Sequence, residues 1–287
     1  AEKLYKDTFA SSKMLYEDCS LTEISECLGV SDETIIAGIN KELGINVSNM
    51  QSAREALEDT HYQRLQHLID TKFTDDRLLL LLDCFESRND DEIRSMVTDN
   101  ADIPTIFEYV LGILWYKASE RHGKILDYMK LSLDADLLPK THAAGGEADI
   151  VYEYETTEVY PEHTLLLEAT LADSTNQRRM EMEPVSRHLG RHLIRTGNMN
   201  SYCVFATTYL DINVIADFRS RKTTPFYDSQ DYSKAVTGMK IIPLQTSELK
   251  KIVSNKKTYK ELYPLFEAAF NSILPPHEWY RAFSLEI

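Results

Sequence analysis

The segment Thr164-Leu165-Leu166-Leu167-Glu168-Ala169-Thr170-Leu171 constrains this chain more than any other, because it sets one carboxylate inside an aliphatic run. Strands covered on both faces are near-continuous apolar runs. An acid placed in one is costly unless it is paired or bound to a cation. Upstream, Asp149 stands at the entry of a second β-type run, Ile150-Val151-Tyr152-Glu153-Tyr154. Two acids at the ends of neighbouring strands repel each other unless a cation lies between them. A hard divalent ion such as Mg²⁺ takes one or two carboxylates and leaves its other positions to water and a phosphate. Many enzymes cut phosphodiester bonds with that combination. The competing possibility is that both acids face solvent on the polar side of a two-faced strand.

Around this segment, strands are expected at about 148–154, 164–171, 201–208 and 239–243, with helices near 184–195, 246–254 and 258–272. Asp102 suits an N-cap and Pro104 the first helical turn. Ile106, Phe107, Val110, Leu111, Leu114 and Trp115 then space out a buried amphipathic helix. Strands alternating with helices predict an α/β domain with a mixed central sheet over residues 101–287.

Residues 1–100 carry only helical patterns. Leu21, Ile24, Cys27 and Leu28 share one helical face, and Gly29-Val30-Ser31 turns the chain. Ser31 or Asp32 can cap a second helix carrying Ile35, Ile36 and Ile39. The pair resembles a helix-turn-helix, but its second helix opens with Asp32-Glu33 and has Lys41 as its nearby cation. A DNA-reading helix needs base- or phosphate-binding side chains, so a helical packing unit is expected. Ala53–Thr71 and Asp75–Glu86 continue the helical pattern, including the apolar run Leu78–Leu82, which reads as buried. The polar Ser87–Asp91 and the turn-prone Thr98–Asp102 mark the expected boundary.

Charge limits where a nucleic acid could bind. The chain carries 31 Lys and Arg against 46 Asp and Glu, net −15. Residues 1–100 hold 10 basic and 21 acidic side chains, whereas residues 201–287 hold 11 and 9. Nucleic-acid binders are normally basic, so the first hundred residues are a poor surface for gripping DNA unaided. No apolar run approaches the roughly 20 residues needed to span a bilayer, and the first residues, AEKLYKDTFASSK, lack a signal peptide's apolar core. Cys19, Cys27, Cys84 and Cys203 are scattered among apolar neighbours and read as buried free thiols of a reducing compartment. A cytoplasmic protein without a membrane partner is expected. A chain opening on Ala rather than Met fits a fragment of a longer protein.

The constellation Asp149…Glu168-Ala169-Thr170-Leu171…Gln177…Glu181…Arg187-His188-Leu189 resembles the cleavage domain of AlwI-family type IIS restriction endonucleases and their nicking relatives, of the PD-(D/E)xK nuclease fold. The likeness extends to Ile103–Tyr116 and Ile241–Val253. It implies an α/β restriction-endonuclease-like domain with a mixed central sheet, preceded by an all-α helical domain. Residues 1–100 would be the family's linker-type region and 101–287 the cleavage domain, with the sequence-recognition domain missing.

By the same resemblance, Asp149 and Glu168 hold the catalytic Mg²⁺, with Glu181 as a third acid and Glu108 as a fourth. Glu183, beside Pro184, instead suits the start of a helix. Thr170 stands where many PD-(D/E)xK nucleases place a lysine, and it cannot carry a positive charge. Glu181, Gln177 or a water on a second metal is then left to orient the nucleophile. His188 would hydrogen-bond near the site or pack; with His192 it forms an i, i+4 pair that has no third zinc ligand nearby. Arg178, Arg179, Arg187, Arg191 and Arg195 could neutralise DNA phosphates or simply form a solvated helix face. Lys250, Lys251, Lys256, Lys257 and Lys260 make a second basic cluster. The implied activity is hydrolysis of double-stranded DNA by a Mg²⁺-dependent endonuclease. One site per chain attacks one strand, so a second nuclease subunit or a homodimer would complete a double-strand break. The alternatives are a DNA-binding regulator or assembly scaffold with a catalytically silent nuclease-like domain, and a repair or transposition nuclease on the same fold.

Overall fold

Short polar side chains start several of the helices by accepting one of the N–H groups that a first turn leaves unpaired. Ser31 accepts from Thr34 N–H, Thr74 from Arg77, Asp102 from Thr105 and Asp211 from Asn213. The computed structural model describes residues 29–142, 148–172, 176–177 and 181–287. The helix expected at Leu21–Leu28, the thiols of Cys19 and Cys27, and Arg178 and Arg179 lie outside them.

The chain divides into two compact units, the second comprising Thr71–Leu133 and Leu138–Ile287. In the first, α1 (Asp32–Leu43) ends at Gly44, whose φ of 66° is a left-handed conformation that glycine adopts without strain. Asn40 then ties the following loop back with two hydrogen bonds to the Val47 backbone. α2 (Met50–Lys72) follows.

The second unit opens with α3 (Asp75–Ser87), α4 (Asp90–Met96), α5 (Ile103–Ala118) and α6 (Ile125–Tyr128). The Leu78–Leu82 run lies in α3, but five adjacent residues exceed one helical face, and Leu80 is 48% exposed. Next come the small pair β1 (Ser132–Leu133) and β2 (Pro139–Thr141), then β3 (Ile150–Tyr154), β4 (His163–Thr170) and α7 (Met182–Thr196). β5 (Tyr202–Thr207) and α8 (Ile212–Ser220) precede a second small pair, β6 (Phe226–Tyr227) and β7 (Ala235–Val236). β8 (Ile241–Gln245), α9 (Thr246–Ser254), α10 (Tyr259–Asn271) and α11 (Pro276–Glu286) complete the described chain.

The main sheet has the order β3-β4-β5-β8, with β3 antiparallel to β4 and the other pairs parallel, so it is mixed as expected. Ile150, Tyr152 and Tyr154 on one face meet α5. Tyr152 Oη donates to the Gly112 carbonyl, and Trp115 Nε1 donates to Tyr154 Oη. β5 is buried at every position, as a central strand covered on both sides must be. The two small strand pairs, too short to show alternation, and the helices α4, α6, α8 and α11 were not among the elements expected from the sequence. Among the described residues no helix is long and apolar enough to cross a membrane.

Candidate active site

The ladder between β3 and β4 decides where the acids meet. Ile150 opposes Leu167, so one step further out the register brings Asp149 opposite Glu168. Residues directly opposed in an antiparallel pair point to the same face. Since Ile150 and Tyr152 face α5, Asp149 and Glu168 face the other way, where α7 lies. Glu168 is only 7% exposed, which removes the solvent-facing alternative for it.

Three carboxyls gather here, each met by one polar partner. Asp149 Oδ2 accepts the Ala169 N–H at 2.8 Å. Glu168 Oε1 lies 2.7 Å from His188 Nδ1. Glu181 Oε1 accepts the Thr170 hydroxyl at 2.8 Å. Glu181 occupies the N-cap of α7, yet its side chain makes no capping bond. Glu183, the acid in the first turn of α7, is exposed and pairs with Arg187.

Burial and mutual repulsion set the charge state. Burial, then the charge of Glu181, pushes the Glu168 carboxyl up to about 8, against the pull of Arg187. Asp149 is raised by burial and then by Glu168, with the Ala169 N–H opposing the rise. Glu181 is also raised by burial, eased by the Thr170 hydroxyl. Burial lowers His188, with Arg187 adding to the effect. His188 Nε2 is a buried nitrogen with no hydrogen-bond partner among the described residues.

Glu108 is buried in α5. Gly112 lies beside Ile150, while Trp115 and Ser119 bond Tyr154, so α5 and β3 run in the same direction. Glu108, one turn before Gly112, therefore sits toward the end of β3 that carries Asp149. Gln177 is fully buried, and its amide is taken up by the scaffold. Its Nε2 donates to Thr207 Oγ1 and the Tyr209 carbonyl, and its Oε1 accepts the Asp211 N–H. It staples the chain after β4 to the end of β5. His192 is buried on the same helix as His188.

Of the expected phosphate contacts, Arg187 pairs with Glu183 and Arg191 donates to Ser229. Four lysines of the second basic cluster are engaged within the fold. Lys250 pairs with Asp83 and Glu86, Lys251 and Lys257 donate to the Ser284 and Glu286 carbonyls, and Lys260 pairs with Glu120. Sequence reasoning missed the Ala169 N–H, because a backbone donor carries no residue-type signature.

Among the described residues no three Asp, Glu, His or Cys side chains close on one point as a metal ion requires. The donor chemistry fits a hard divalent cation all the same. Three oxygen-donor acids crowd one face, and their repulsion is the kind that a cation relieves.

Comparisons with known proteins agree on the fold. A solved structure similar to this chain is the small subunit of the heterodimeric restriction endonuclease R.BspD6I, at 20% identity and a TM-score of 0.51. The match covers 72% of this chain and 98% of that one, so the chain has a restriction-endonuclease-like fold. No curated protein matches the chain. The model of the AlwI restriction endonuclease family matches residues 2–252, and this chain belongs to that family.

Proposed function

We propose that this chain is a metal-dependent DNA endonuclease of type IIS character that hydrolyses one phosphodiester bond per site. The observation that carries the reading is the facing of Asp149 and Glu168 across the β3–β4 register, on a buried face, with Glu181 turned back toward them. Asp149, Glu168 and Glu181 would hold Mg²⁺, with Glu108 of α5, near the end of β3 that carries Asp149, proposed as a fourth acid. Bound there, the ion supplies charge stabilisation at the phosphate and the departing 3′-oxygen and a lowered pKa for water. The chain's own residues do the positioning: His188 holds Glu168, the Ala169 N–H holds Asp149, and Arg187 and Arg191 on α7 offer charge to the DNA backbone. Gln177 acts as a brace for this end of the sheet.

Residues 1–100 serve as the linker-type region and 101–287 as the cleavage region. Double-stranded DNA is the substrate. A second nuclease subunit is the proposed partner for a double-strand break, since the similar solved structure is one subunit of a heterodimeric enzyme. One observation favours a catalytically silent assembly subunit instead, namely that the described acids do not close on a single point.

A supercoiled-plasmid assay with Mg²⁺ separates the two. The parent chain should yield nicked circles, and Asp149→Ala and Glu168→Ala should not. Equal cutting by all three proteins overturns the assignment, and no cutting by the parent, with no Mn²⁺ bound in calorimetry, supports the silent subunit.

A further inference from the structure

The tripeptide Glu168-Ala169-Thr170 handles all three carboxyls of the site. Glu168 is one of them, the N–H of Ala169 holds Asp149, and the hydroxyl of Thr170 holds Glu181. Residues two apart on a strand share a face, so Thr170 and Glu168 both point toward α7. The Thr170 Oγ1 accepts the Ala172 N–H at 3.1 Å as β4 ends. A hydroxyl has a single proton, and this one goes to Glu181 Oε1.

Glu181 shows the complementary feature. A polar residue at an N-cap ordinarily gives its side-chain oxygen to the N–H two or three residues on. Glu181 gives none, with φ −110° and ψ −29° at the cap. Its carboxyl is turned from its own helix to the strand.

We infer that Thr170 is the positioning residue of this site, its hydroxyl setting the Glu181 carboxylate on the face shared by Asp149 and Glu168. This rests on the nuclease reading above. Thr170 does so with a neutral donor, where a lysine would add a positive charge among the acids. No fixed positive charge then competes with a divalent cation for the three carboxyls.

The test is Mn²⁺ binding to the full chain by calorimetry, with plasmid nicking and melting temperature measured in parallel. Thr170→Val should weaken Mn²⁺ binding roughly tenfold or more, the usual cost of removing a group that orients a metal ligand. Thr170→Ser, which keeps the hydroxyl, should bind like the parent. Combined with Glu181→Gln, Thr170→Val should add little, because the two act through one interaction. Parent-like binding by Thr170→Val overturns the proposal, as does equal loss in the Val and Ser variants or full additivity with Glu181→Gln. The nuclease reading stands or falls separately. If the parent binds Mn²⁺ and Asp149→Ala does not, while Thr170→Val matches the parent, only the positioning role fails. If the parent neither binds nor nicks, the nuclease reading fails and takes this role with it.

Discussion

His188 Nδ1 lies 2.7 Å from Glu168 Oε1, and so joins the second turn of α7 to an acid on β4. The ring holds one carboxyl oxygen of Glu168. Removing such an orienting partner typically costs 10- to 100-fold in metal affinity or activity. His188→Ala should therefore slow plasmid nicking by about that factor, while His188→Asn, whose side-chain amide can take the place of Nδ1, should recover part of the rate. Circular dichroism checks that the fold is kept. An Ala variant as fast as the parent would show that the contact has no part in activity.

Glu168 predicts a pH dependence of stability. Its carboxyl sits at about 8 in the folded chain, above its ordinary value of 4.5. Between those values the folded protein binds more protons than the unfolded one, so stability falls as pH rises. The loss should approach 3–5 kcal/mol by pH 8, at about 1.4 kcal/mol per unit. Urea unfolding at pH 5 and pH 8 should show a smaller loss in Glu168→Gln. Saturating Mn²⁺ should restore the parent at pH 8, because a ligand that binds only the folded state stabilises it. Identical pH profiles in the two proteins would refute the assignment of this loss to Glu168.

The carboxylate of Glu248 anchors the C-terminal helix. It accepts from the Gln245 N–H, from Tyr280 Oη at 2.8 Å and from the Ser284 hydroxyl, while being only 3% exposed. A hydrogen bond to a charged acceptor contributes about 1.5–3 kcal/mol. Tyr280→Phe should lower the urea midpoint by that equivalent and leave nicking unchanged, and Glu248→Ala should cost more because several donors lose their acceptor. A Phe variant within about 0.5 kcal/mol of the parent would show that the helix is held by apolar packing, chiefly Trp279 and Phe283.

Lys250 and Arg191 should behave differently toward DNA. Lys250 is held between Asp83 and Glu86 at 2.8 and 2.7 Å, whereas among the described residues Arg191 reaches only the Ser229 hydroxyl, at 3.3 Å. Lys250→Ala should leave the salt dependence of duplex binding unchanged and cost about 1 kcal/mol of stability. Arg191→Ala should reduce the slope of log affinity against log salt by about 1, the signature of one lost phosphate contact. Fluorescence anisotropy with labelled duplex measures both slopes, and a reduced slope for Lys250→Ala would return the lysine cluster to the DNA-binding surface.

The four strands of the main sheet and the helices α5, α7, α9 and α10 were legible in the residues. The aliphatic strands around Glu168 and Cys203, the capped start at Asp102 and the spacing of Ile106 to Trp115 each appear within a residue or two of their expected bounds. These are local signals, carried by neighbours in the chain. The acids themselves were legible as residue types out of place, Glu168 above all.

Tertiary structure alone decided which of them share a face and what holds each one. Register between β3 and β4 is a pairing between distant segments, and a slip of one residue would turn Asp149 away from Glu168. The partners of the carboxyls are a backbone N–H, a hydroxyl and a ring from the next helix, and nothing in their identity marks that task beforehand. The same holds for Gln177, whose buried amide braces β5, and for Lys250 and Lys260, which are already paired with acids of the fold. Composition announces charge, but only the folded chain settles which charges face each other and which remain for a ligand.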